Sequence, residues 1–427
     1  MISKNGANVP NCLILIMRHG GLDGVALQMQ EYLRVLNEIG LHTHILSGRK
    51  ETQFGGHTAN GLYDTVIDTL DFYHPDSQLL FANGFTHGPE TSGVESISQA
   101  EWMRIFARHK SSIQEAIEDK LQQLPAQFPI LIYNLLSLRH AQPAAAVAIK
   151  ELIEKYSDRV FISHAADPDA ERPEKTSRMK DFALKAISAN DPAMSYSGGP
   201  YSFPNLYHIV INPTQRDNFV NKHSIPKDHV FMIHDFLEFE SSEPAIAEAQ
   251  TPEFVDYLAR NTLSPNGKMH RYTANQLTED TVYFLSPVRP VYRKRLKEAM
   301  VVAHEYGRSR GKKVAFVVTH PNIDDKQYFA ESVVFASQLG IQYIHLGEKF
   351  TIDTLSYVYK NMAALPSVGI VASSAGAWEN ALNEMAHACI PFIMSETLNS
   401  YKPLTQDLSI ATYGFNFDPV LNLAIAE

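Results

Sequence analysis

Cysteine is nearly absent: Cys12 and Cys389 are the two in 427 residues. Such a chain has no disulfide framework, and a reducing cytoplasm is its expected compartment. Also missing is any run near the roughly 18 apolar residues of a membrane span. The first apolar run, Cys12–Met17, is too short for a secretory leader and is flanked by Pro10 and Arg18. Positive charge is not in excess either, 37 basic residues standing against 47 acidic ones for a net charge of −10. That balance argues against general nucleic-acid binding, while leaving room for a local basic site that takes an anionic substrate. Glycine and proline are scattered, so no low-complexity tract interrupts the chain. What remains is 44% hydrophobic and 20% charged, which excludes a disordered or fibrous protein. The length suits two or three domains.

Strand and helix signals alternate. Cys12–Met17 is a buried-strand run, followed by the glycine turn Arg18-His19-Gly20-Gly21-Leu22-Asp23-Gly24. Val25–Ile39 then carries apolar residues at helical spacing and stops at Gly40. Further strands are expected at His42–Leu46, Thr65–Leu70, Pro129–Leu136, Arg159–Ser163, Leu206–Asn212 and Asp228–His234, with helices over Gln99–Leu124, Ala144–Tyr156 and Thr214–Lys222. The turn-rich stretch from Glu238 to Asp280 reads as a connection with an insertion. The alternation restarts with strands at Thr281–Ser286, Lys313–Thr319, Ile341–Leu346, Val368–Ala372 and Pro391–Met394. Helices are expected at Lys294–Gly307, Gln327–Gly340, Ile352–Asn361 and Glu379–Cys389. The expected organisation is a Rossmann-like domain over 1–238, a connection over 239–280, and a second Rossmann-like domain over 281–427. Ligands of such sheets bind at the carboxyl ends of the strands.

Three segments carry chemistry. Gly20 and Gly21 let backbone N–H groups approach a phosphate or sugar at a helix start, although a tight turn alone also uses glycine there. The spacing is not Gly-x-Gly-x-x-Gly, which disfavours a dehydrogenase. Arg289 follows the strand Thr281–Ser286, and Lys294 lies five residues on, with Arg293 and Arg295 as neighbours. A guanidinium and an ammonium at this place suit a departing diphosphate, whose charge grows as its bond to a sugar breaks. A basic, solvated helix start is the plainer reading. The third segment is the small-residue loop Ser373–Ala377, followed by Trp378, Glu379, Asn380 and Glu384. Its N–H groups suit a diphosphate, and the Glu384 carboxylate suits a ribose diol. His164 ends a strand in the first half. No His-Glu-x-x-His motif or cysteine pair marks a metal site.

Together the three segments resemble the retaining glycosyltransferases of family 4, which have the GT-B fold. The strongest stretch is Ala377–Ile393, where Trp378, Asn380, Leu382, Glu384, Pro391 and Ile393 fall on the family pattern. The resemblance spans about Leu13 to Glu396 and implies an α/β architecture of two Rossmann-like domains whose parallel sheets face an inter-domain cleft. It implies transfer of a hexose from a nucleotide-diphosphate sugar to an unidentified acceptor, without a metal or other cofactor. The catalytic residues it implies are Arg289, Lys294, His164 and Glu379. Donor contacts would come from Gly20, Gly21, Arg289, Lys294, Gly347, Ser374, Gly376, Ala377, Asn380 and Glu384, with the base near Leu346-Gly347-Glu348. The acceptor would enter near Gly20, Gly21 and His164.

The chain departs from the family where the first glutamate of a Glu-x7-Glu pair becomes Gly376, with Glu379 as its stand-in. Family members usually continue past the last matched strand with helices that return to the first domain, whereas this sequence stops at Glu427. Two other readings follow from the residues. Gly376 favours a non-catalytic relative that binds a nucleotide-sugar or a protein partner. Arg18-His19-Gly20 resembles the signature of histidine phosphatases, in which the histidine accepts phosphate.

Overall fold

The computed structural model describes residues 11–19, 24–50, 63–85, 94–137, 139–166, 168, 178–188, 200–234, 251–264, 277, 280–320, 325–346, 352–374, 380–396, 398 and 413–415. The chain divides into two units, Met1–Asp235 and Phe236–Glu427.

The first unit is built on seven strands: β1 (Cys12–His19), β2 (Thr43–Lys50), β3 (Tyr63–Val66), β4 (Ile130–Tyr133), β5 (Phe161–Ala165), β6 (Leu206–Val210) and β7 (Val230–Met232). Their order in the sheet is β3-β2-β1-β4-β5-β6-β7, and all pairs are parallel. A parallel sheet with helices on both faces must be apolar on both. Leu13, Ile14, Leu15 and Ile16 of β1 are accordingly all buried, alternating between two cores. The helix Gly24–Glu38 packs Met29, Tyr32 and Leu33 on one face. The long helix Gln99–Leu121 packs Trp102, Ile105, Ile113 and Ile117 on the other.

Several elements differ from the sequence reading. The third strand starts earlier, at Tyr63, and gives way to a 3-10 turn at Asp68–Leu70. Helices at Pro75–Gly84 and Asp181–Ser188 were not expected; the first begins with His74 as its cap and a proline at its start. The expected helix Thr214–Lys222 is one short α-helix, Pro213–Asp217, continued as a π turn to Lys222.

The close seating of the 3-10 turn on β2 yields a prediction. A Cβ added at Gly48 would lie 2.2 Å from the Asp71 nitrogen and 2.3 Å from the Leu70 carbonyl carbon. Both are backbone atoms, so Gly48→Ala should displace the turn and cost about 1–3 kcal/mol. A melting temperature equal to that of the wild type would contradict the packing.

In the second unit the strands are β8 (Thr281–Ser286), β9 (Lys313–Val318), β10 (Gln342–His345), β11 (Ser367–Val371), β12 (Phe392–Ser395) and β13 (Tyr413–Phe415). Their order, β10-β9-β8-β11-β12-β13, repeats the pattern of the first sheet, again with parallel pairing. The sequence reading lacked β13. The helix Thr251–Arg260, inside the stretch read as a connection, buries Phe254, Leu258 and Ala259 in the second unit's core. The chain leaving it bridges to the β10 edge through Thr262 and Ile344.

Candidate functional site

In each sheet the first strand lies centrally: the next two strands build outward on one side of it and the later ones on the other. The crossover direction therefore reverses between β1 and β4, and again between β8 and β11. In open parallel sheets the carboxyl ends of the strands at such a reversal point are the usual ligand position.

In the second unit the loop after β8 runs Pro287-Val288-Arg289-Pro290-Val291, and its two prolines keep it from continuing as strand or helix. It tightens through Val288 N–H donating to Ser286 O (2.9 Å) and Val291 N–H to Arg289 O (2.8 Å). Tyr292–Lys294 then forms a single 3-10 turn. The helix starts only at Leu296, so Lys294 does not open it as expected; Arg295 interposes at φ 50°, in the left-handed region. That conformation is costly for a residue with a Cβ. Lys294 is buried and Arg289 partly buried.

The neighbouring loop, after β11, is tied to this basic turn. Ser374 donates to the Arg293 carbonyl twice, from its N–H at 2.9 Å and its hydroxyl at 3.2 Å. Two segments 81 residues apart thus meet at the reversal point. The structure thus brings the loop that carries Arg289 and Lys294 and the loop that carries Ser374 to one sheet end, as strand order requires.

Glu384 lies on the helix Asn380–His387, which follows the same loop. It is only 6% exposed. Burial pushes its pKa up to about 7, against a hydrogen bond that holds it down. The donor of that bond is the hydroxyl of Tyr359, itself buried, on the helix Ile352–Ala363. Burial and the adjacent carboxylate drive the phenol's own pKa well above 10. Sequence reasoning missed Tyr359. In the sequence it is one more aromatic at helical spacing, and its partner is 25 residues away.

The packing under this helix is close. A Cβ on Gly369 of β11 would fall 2.0 Å from Met385 Sδ. Glycine there lets the helix settle onto the sheet.

In the first unit, His164 is the penultimate residue of β5 and has no exposed surface. Its ring stacks on Tyr133 at 4.3 Å and meets Tyr32 edge-on at 5.0 Å. Burial lowers its pKa to about 3, so the imidazole is neutral at any physiological pH. Beside it, Asn134 follows β4 with φ 61° and donates its N–H to the His164 carbonyl at 3.0 Å. A non-glycine residue in this conformation at a reversal point is the kind of strain that gathers at functional sites. Gly20, Gly21, Gly347, Gly376, Ala377, Glu379 and the side chain of Asn380 lie outside the described residues, as do the side chains of Arg18 and His19.

Among the described residues, metal-ligating types converge once, at His74, Asp76 and His109. The geometry is poor for an ion. The two imidazoles stack at 4.8 Å and 24°, so their in-plane lone pairs run side by side instead of converging. Both Asp76 oxygens already accept from Arg108 at 2.7 Å, and His74 Nδ1 accepts the Asp76 N–H. The cluster is a helix cap with an ion pair. Among the described residues, no helix is long and apolar enough to cross a membrane.

No family model matches the chain. It is 23% identical over 403 residues to the mannosylglucosylglycerate synthase of Thermotoga maritima, covering 90% of this chain and 80% of the synthase. Among solved structures it is similar to WaaG, a glycosyltransferase involved in lipopolysaccharide biosynthesis. That similarity has a TM-score of 0.57 at 10% identity, over 97% of this chain and 90% of the other. It is also similar to the catalytic domain of starch synthase IV from Arabidopsis thaliana, solved with ADP and acarbose. There the TM-score is 0.57 at 12% identity, over 98% and 92% of the two chains. At such identities the structures speak for the fold. Two parallel sheets of the same strand order, that shared fold and the sequence match make this chain a GT-B-fold relative of the glycosyltransferases.

Proposed function

We propose that the chain is a retaining hexosyltransferase that uses a nucleotide-diphosphate sugar. One observation carries the reading: the basic turn Arg289–Lys294 and the Ser374 loop are joined at the β8–β11 reversal point, with Glu384 on the helix that follows. Arg289 and Lys294 would hold the diphosphate and stabilise its charge as the sugar bond breaks. The Ser374 loop, with Gly376 and Ala377, would add N–H donors, and Asn380 would bond the same group. Glu384 would accept from the ribose hydroxyls, with the base near Gly347. The acceptor would enter on the first unit, near Gly20 and Gly21. There His164, being neutral and enclosed, contributes shape and hydrogen bonding rather than a proton. Glu379 would contact the sugar in place of the glutamate missing at Gly376. By the family resemblance, the leaving phosphate helps deprotonate the acceptor on the same face of the sugar, so no separate base and no metal is needed.

The test is a panel of UDP-, GDP- and ADP-hexoses incubated with the purified chain and candidate acceptors, followed by NMR of the anomeric proton. Glucosylglycerate heads the acceptors because the Thermotoga relative is named for its mannosylated form. Transfer with the donor's anomeric configuration kept is the expected result. An inverted product would overturn retention. Tight nucleotide-sugar binding without transfer or hydrolysis would favour the non-catalytic reading that Gly376 supports. Phosphate release that depends on His19 and survives loss of Arg289 would favour the phosphatase reading.

A further inference from the structure

We propose that Tyr359 is a positioning residue for nucleotide binding, holding the Glu384 carboxylate by one oxygen so that the other meets the ribose hydroxyls. This rests on the assignment of Glu384 to the ribose in the proposed function. The geometry divides the carboxylate. Oε2 accepts from the Tyr359 hydroxyl, and the residue retains 6% exposure. Apolar side chains of both helices are packed in one cluster: Val358 and Met362 on the tyrosine's helix, and Leu382 and Met385 on the glutamate's, are fully buried. A carboxylate is an expensive way to join two helices at such a place, where leucine would pack and glutamine would still bond the phenol. What glutamate offers beyond these is a charged acceptor of fixed direction, which a vicinal diol can use.

Tyr359 also bears on the charge state. Its hydrogen bond favours the ionised carboxylate, against the burial that opposes it. Among the described residues, Tyr359 is the titratable group that the facing helix turns toward Glu384. His387, one turn along on Glu384's own helix, is exposed, and the buried residues of β11 and β12 beneath are apolar or serine. Removing the phenol oxygen therefore raises the pH needed to ionise Glu384.

The experiment measures affinity by calorimetry for UDP, GDP and ADP, then for the tightest of them and its 2′-deoxy form, between pH 6 and 8.5. The ratio of ribo to deoxy affinity cancels titration of the phosphates and reads the ribose contact alone. Tyr359→Phe should weaken the ribonucleotide about tenfold and the deoxynucleotide far less. The pH midpoint of the ratio should also move upward. If Tyr359→Phe does not fold, Tyr359→Leu serves, because it packs in the apolar cluster and carries no donor. Should Glu384→Gln erase the ribo preference while Tyr359→Phe keeps it at every pH, Tyr359 is merely structural and the proposal fails. Should Glu384→Gln keep the preference, the ribose assignment itself fails. Absence of binding by all three diphosphates would overturn both.

Discussion

Replacing Arg289 or Lys294 by alanine should lower the rate of sugar transfer by about 100- to 1,000-fold, with the protein still folded. The expectation follows from where charge appears. Cleavage of the sugar–phosphate bond leaves new negative charge on the diphosphate, and a fixed cation in a partly buried loop stabilises it without reorganising. Lys294 is buried at 6% exposure, and its turn is held from both sides, by Val291 through the Lys294 N–H and by Ser374 through the Arg293 carbonyl. Arg289→Lys should be impaired as well, because a point charge does not reproduce a planar fork on two phosphate oxygens. Unchanged turnover in both alanine variants would remove the basic turn from the reaction.

The second large effect is on stability. Glu384 has its pKa raised from 4.5 to about 7 in the folded chain. Between these values the folded state keeps a proton that the unfolded state has lost. The folded state is therefore favoured below pH 4.5, and this contribution drains away as pH rises toward 7 and beyond. The loss by pH 8 is on the order of 3 kcal/mol for this one group. Glu384→Gln keeps an acceptor for Tyr359 but cannot ionise. The variant should match the wild type at pH 4 and exceed it by up to that amount at pH 8, read from urea unfolding at the two pH values. A difference that does not change with pH would show that the carboxylate is not buried as described.

Reading the sequence reached most of the fold because parallel sheets write themselves as uninterrupted apolar runs. Cys12–Met17 and Thr281–Ser286 could be placed almost to the residue for that reason. What escaped was decided by tertiary contact. The helix Thr251–Arg260 sits in a polar, turn-rich stretch and owes its place to Phe254 and Leu258 filling the second core. Lys294 looked like the first residue of a helix because nothing local announces that Arg295 will turn left-handed. At the candidate site, the adjacency of the loops that carry Arg289, Lys294 and Ser374 was legible, since strand order alone brings those loops together. The Tyr359–Glu384 pair was not, because a buried hydrogen bond between two helices leaves no spacing in the sequence.

The most direct test of the account is a crystal structure of the chain with a bound nucleoside diphosphate. The account predicts the diphosphate within hydrogen-bond reach of Arg289, Lys294 and the Ser374 loop, and the ribose hydroxyls on Glu384. A nucleotide seated away from the β8–β11 reversal point, with these side chains untouched, would contradict it.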